Sequence, residues 1–81
     1  MPTILREGGL RFFFYMADRF EPPHVHVSRD DCAAKIWLDP LEFALVEGFR
    51  RHECNAIIRI TETHLDEFLQ AWYAAFIKPE L

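Results

Sequence analysis

The chain changes its hydrophobic period once, near residue 50, and that single change most constrains what it can fold into. Beyond it, Cys54, Ile57, Ile58, Thr61, Leu65, Phe68, Leu69, Trp72 and Phe76 recur at spacings of three and four. That is the stripe of an amphipathic helix. Glu53, Arg59, Glu62, Asp66, Glu67 and Gln70 fall on the opposite side. The stripe runs through Thr61-Glu62-Thr63-His64 without losing phase, which predicts one helix over about 50–77. Thr61 and Thr63 lower helix propensity enough to permit a bend there.

Before the change, short apolar runs are separated by turn residues. Thr3–Glu7 reads as a strand, and Gly8-Gly9 supplies the positive φ values of a tight hairpin. Leu10–Met16 follows as a second strand, then a turn or loop over Asp18–Pro23. His24–Ser28 is the third strand, Arg29-Asp30-Asp31 a polar turn, and Ala33–Leu38 the fourth strand. Leu41–Glu47 alternates weakly and is assigned as a fifth strand rather than a helical turn, with Gly48 ending it. The expected fold class is α+β. A small antiparallel β-meander of four to five strands, over about 3–47, packs against a long C-terminal amphipathic helix. With 81 residues and 51% hydrophobic content, residues 1–81 suit a single domain. Aromatic residues make up 15% of the chain and can fill its core without disulfides.

The net charge of −4 argues against nonspecific binding to nucleic acid, which needs a positive surface. Arg50-Arg51 is the only adjacent basic pair. Cys32 and Cys54 lack CxxC spacing, and the first residues carry no apolar run suited to a signal peptide or membrane span. A cytoplasmic protein with reduced thiols and no membrane association is the expectation. Dinucleotide-binding, P-loop, nucleophile-elbow and HExxH signatures are absent.

Chemistry concentrates in Glu21-Pro22-Pro23-His24-Val25-His26-Val27. In a strand, residues i and i+2 share a face about 7 Å apart, so His24 and His26 can converge on one proton, phosphate or metal ion. The prolines make the approach stiff. His64, at the edge of the helical stripe, can face the sheet that carries the pair. Three imidazoles would form a zinc-type divalent metal site with an open position for water. They would serve equally as an acid–base pair oriented by the third ring. With Lys35 or Arg11 as a nearby cation, the substrate class would be a phosphoester or RNA. Against this, a histidine at a helix edge is ordinarily packed or hydrogen-bonded. If Val25 and Val27 face inward, both strand imidazoles look out to solvent. Asp18, Glu21 and Asp39 are loop carboxylates within reach, and spacing does not select among them. Phe13, Tyr15 and Trp37 fall opposite Phe12, Phe14, Ile36 and Leu38. They form either a partner-binding aromatic face or rings packed under a neighbouring loop or strand.

Several of these segments together resemble a known family. They are Met1-Pro2-Thr3-Ile4, Arg11-Phe12-Phe13-Phe14-Tyr15, the PPHVHV core, Ala34-Lys35-Ile36-Trp37-Leu38-Asp39-Pro40, and Glu62-Thr63-His64 followed by Ala71-Trp72. The chain resembles the small prokaryotic family called domain of unknown function 4160 along nearly its whole length. The resemblance implies a short, stand-alone cytosolic protein, often encoded beside a member of domain of unknown function family 2442. Such a layout is similar to that of toxin–antitoxin pairs. The family pattern carries over to His24, His26, His64 and Trp72, and leaves out His52 and both cysteines. The expected role is therefore an interaction protein of a toxin–antitoxin-like or regulatory gene pair. It would bind a small protein partner encoded nearby, or a second copy as a homodimer, through Phe13, Tyr15 and Trp37 or a strand edge. The alternative is a His-centred metal-binding or phosphoester-hydrolysing enzyme using His24, His26 and His64.

Overall fold

In the computed structural model, residues 3–76 are described. The strands are β1 (Thr3–Glu7), β2 (Leu10–Phe13), β3 (His24–Arg29), β4 (Cys32–Leu38) and β5 (Leu41–Glu47). They form one sheet in the order β1-β2-β3-β4-β5 with every neighbouring pair antiparallel. This is the expected meander, with five strands. Two of its connections follow from local chemistry. Gly8 and Gly9 take φ values of 59° and 80°, the left-handed pair that a two-residue hairpin needs. Asp30, at φ 53°, does the same between β3 and β4, where aspartate tolerates that region better than most side chains.

β2 stops at Phe13, short of the Met16 that its apolar run suggests, and Met16–Phe20 forms a 3-10 segment instead. Asp18 causes this departure. Its Oδ2 accepts the Tyr15 N–H at 2.8 Å while its own N–H donates to the Tyr15 carbonyl at 3.0 Å. A short aspartate side chain thereby competes with the strand ladder for the backbone.

The helical third contains two helices, α1 (Arg51–Thr63) and α2 (Leu65–Phe76), where the stripe predicts one. Residue 77, the expected helix end, lies outside the described residues. Thr61 Oγ1 donates to the Ile57 carbonyl at 2.7 Å, and Thr63 Oγ1 to that of Arg59 at 2.9 Å. Such back-bonding bends helices. His64 then takes φ −106°, ψ 17°, outside the helical range. Only one residue leaves the helix, and the Phe68 N–H already reaches the His64 carbonyl at 2.9 Å, so the apolar phase survives the break.

The helices cover one face of the sheet. Phe12, Val25, Val27, Ile36 and Ile57 are fully buried, and Phe14, Phe68 and Trp72 nearly so. Phe12 meets Phe68 at 5.4 Å between ring centroids, and Phe14 meets Trp72 at 5.3 Å. At the other end Glu53, in the first turn of α1, pairs with Arg29 at the end of β3 and fixes the helix to the sheet.

Candidate functional site

Strand alternation turns Val25 into the core and places His24 and His26 on the other side. The expectation that both imidazoles would then meet solvent fails for His24, which is fully buried. Trp37 covers its ring at 5.4 Å, and Trp72, reaching around from α2, covers it at 5.0 Å. His26 lies beside it with 5.1 Å between ring centroids and keeps 19% of its side chain exposed. Phe13 stacks on His26 at 5.5 Å, and Tyr15 meets it edge-on at 4.7 Å. The aromatic trio Phe13, Tyr15 and Trp37 thus forms the wall of the histidine pair. Phe13 is buried, Trp37 half-buried and Tyr15 exposed.

The 3-10 segment brings one carboxylate to this pair. Asp18 Oδ2 accepts from His26 Nε2 at 2.9 Å, and Asp18 Oδ1 lies 3.2 Å from His24 Nε2. Among the described residues, Asp18, His24 and His26 form a group whose potential ligand atoms all lie within 4.8 Å of one another. Sequence spacing left Asp18 level with Glu21 and Asp39. The local sign that separates it is its position three residues after Tyr15, where it can cap that residue's backbone. Glu21 instead pairs with Lys35, whose ammonium holds its carboxyl below the usual carboxylate range.

His24 is held in one tautomer. Its Nδ1 lies 2.9 Å from the Pro22 carbonyl oxygen, which only accepts, so Nδ1 carries a proton. Nε2 is buried and has no hydrogen-bond partner, because the nearby Asp18 oxygen is not aligned to make a bond. In the neutral ring this places a nitrogen lone pair against a carboxylate oxygen. His26 is depressed below its ordinary value of 6.5, chiefly by burial, with the Asp18 carboxylate opposing.

His64 does not join this group. Its Nδ1 meets Glu67 at 2.7 Å and its Nε2 lies 3.5 Å from Glu7 in β1, while its ring stacks on Phe68 at 6.0 Å. The hydrogen bond to Glu67, aided by the charges of both carboxylates, raises it above 6.5. It sits at the break between α1 and α2. His52 lines a separate cavity of about 300 Å³ with Leu10, Arg29 and Ile57. Among the described residues, no helix is long and apolar enough to cross a membrane.

Residues 9–73 match the model of the family described as a domain of unknown function, DUF4160. The chain belongs to that family. The match spans the His24–His26 strand, Asp18, His64 and Trp72, and so contains every residue of both imidazole groups except Glu7. No curated protein and no solved structure matches the chain. The DUF4160 match identifies a small protein whose family description assigns no activity, so any function has to be argued from the site itself.

Proposed function

We propose that this DUF4160 protein is the half of a toxin–antitoxin-like or regulatory pair that docks a small protein partner over the Asp18–His24–His26 group. The observation that carries this is the 3-10 segment. It turns Asp18 inward to the histidines while presenting Met16, 58% exposed, and Phe20, 80% exposed, to solvent. Large apolar side chains gathered on one short segment favour association. Tyr15, 42% exposed, continues that surface up to His26. A partner seated there would also control access to the group beneath it. The family's gene layout suggests a partner encoded nearby. Phe20→Asp should weaken binding to the protein encoded by the adjacent gene at least tenfold in calorimetry, with the fold retained. Unchanged affinity would contradict the proposal, and a mass of two chains without the partner would point to a homodimer instead.

One observation favours a catalytic role for the same group. With His26 Nε2–H donating to Asp18 Oδ2, the other nitrogen, Nδ1, has no partner among the described residues. Burial keeps the ring neutral, and therefore basic, near pH 7. Lys35 pairs with His26 across β3 and β4, and Arg11 stacks over Phe13 at 4.4 Å. A neutral imidazole near the Lys35 ammonium suits proton abstraction at a phosphoester such as RNA, with Lys35, now paired with Glu21, turning to stabilise developing charge. His64 is not assigned to this chemistry.

A further inference from the structure

We infer that the Asp18 carboxylate and the Nε2 atoms of His24 and His26 form a binding site for one first-row divalent ion of the zinc class. The inference rests on the functional assignment of this group in requiring the same three side chains, but it needs neither a partner nor an activity.

The His24 ring is already set in the tautomer of a metal ligand. A histidine that binds metal through one nitrogen ordinarily donates its other N–H to a carbonyl or carboxylate, which fixes the ring and frees the lone pair. His24 does this through Nδ1 and the Pro22 carbonyl at 2.9 Å, on a backbone stiffened by Pro22-Pro23. Its other nitrogen, Nε2, is left without a partner. It is fully buried, lacks a hydrogen bond, and faces Asp18 Oδ1 at 3.2 Å. A buried polar atom without a partner is costly, and a lone pair held against a carboxylate oxygen is worse. A protonated ring would resolve this by donating to Asp18, but the alignment for that bond is absent. A cation between the two satisfies both.

Distances agree with this. Zinc bonds of about 2.0–2.2 Å in a tetrahedron set ligand atoms about 3.3 Å apart. Asp18 Oδ2 lies 2.9 Å from His26 Nε2 and Asp18 Oδ1 3.2 Å from His24 Nε2, and one ligand atom from each of the three residues falls within 4.8 Å of the others, so side-chain adjustment without backbone movement would admit the ion. On binding, His26 exchanges its Nε2 proton for one on Nδ1 by way of solvent, so the ring stays neutral and no net proton is released. Two imidazoles and one carboxylate suit zinc, iron, cobalt or nickel better than magnesium or calcium, which prefer oxygen ligands alone. Three protein donors leave a fourth position for water or a substrate oxygen, the pattern of catalytic rather than closed sites. His64 supplies the contrast. It too sits between carboxylates, but its Nδ1 is bound to Glu67 at 2.7 Å and nothing there is orphaned.

The test is calorimetric titration of the chelator-treated, tag-free chain with Zn²⁺, followed by Co²⁺ substitution. The expected result is one ion per chain at micromolar or tighter Kd, and visible cobalt bands of tetrahedral intensity. Paramagnetically shifted imidazole N–H signals from two histidines should accompany them. His26→Ala and Asp18→Asn should each weaken binding at least tenfold, and His64→Ala should leave it unchanged. Absence of binding by the wild-type chain overturns the inference, as does wild-type affinity in a folded His26→Ala. If both variants fail to fold, the cobalt spectrum of the wild type decides, and a spectrum without two histidine ligands overturns it. Zinc binding with no cleavage of RNA would remove the hydrolytic role and leave the site. Cleavage that persists in chelator but needs His26 would do the reverse.

Discussion

The His24–His26 group and the His64 group both set imidazoles against carboxylates, yet they are held in opposite ways. His24 is buried under two tryptophans, its proton is fixed by a backbone carbonyl, and its other nitrogen is left without a bond. His64 stands at a break between helices, and its ring is held between Glu7 and Glu67. Burial moves His26 toward neutrality, whereas hydrogen bonding moves His64 toward charge. A histidine next to a carboxylate is therefore not by itself a site. What separates the two groups is whether the surroundings leave a lone pair unanswered.

Stability gives the widest separation. Asp18→Ala removes the acceptor for the Tyr15 N–H and for His26 together, in a buried setting. It should cost about 1–3 kcal/mol in urea denaturation. Glu67→Gln alters an exposed, solvent-screened pair and should leave the urea midpoint close to that of the wild type. Equal losses from the two would erase the distinction between the groups.

A smaller effect with a sharper sign comes from pH. The folded-state value of His26 lies below the ordinary 6.5, so the unfolded chain binds the extra proton first on acidification. Its contribution to stability is whole above about 6.5 and is lost as pH falls toward the folded value. His64 is raised above 6.5, so its contribution is whole below that value and is lost as pH rises through the folded one. Proton NMR of the ring C–H signals should give midpoints on opposite sides of 6.5. Midpoints on the same side would break the comparison.

Much of the fold was legible because its signals are local. Gly8-Gly9 and Asp30-Asp31 mark hairpins by their chemistry, and Val25, Val27, Ile36 and Leu38 show the buried face by alternation. The break at His64 was hidden because one non-helical residue leaves the apolar stripe in phase. The site was half legible. His24 and His26 announce themselves by spacing, and Phe13, Tyr15 and Trp37 by alternation. Asp18 and Trp72 reach the pair only through a 3-10 segment and the far end of α2. The Tyr15–Asp18 spacing marks the backbone cap, but no local pattern encodes the contacts of Asp18 and Trp72 with the histidines. For the same reason, alternation alone sent His24 to the solvent.

The central claim is that His24 holds a bare Nε2 toward Asp18, and ring-nitrogen NMR tests it most directly. Long-range proton–nitrogen correlation on metal-free, uniformly labelled protein near pH 7 reports which nitrogen of His24 carries the proton. The account predicts a protonated Nδ1 and an unprotonated Nε2, with the Nε2 resonance moving on addition of Zn²⁺. A protonated Nε2, in either the other neutral tautomer or the imidazolium, would contradict it.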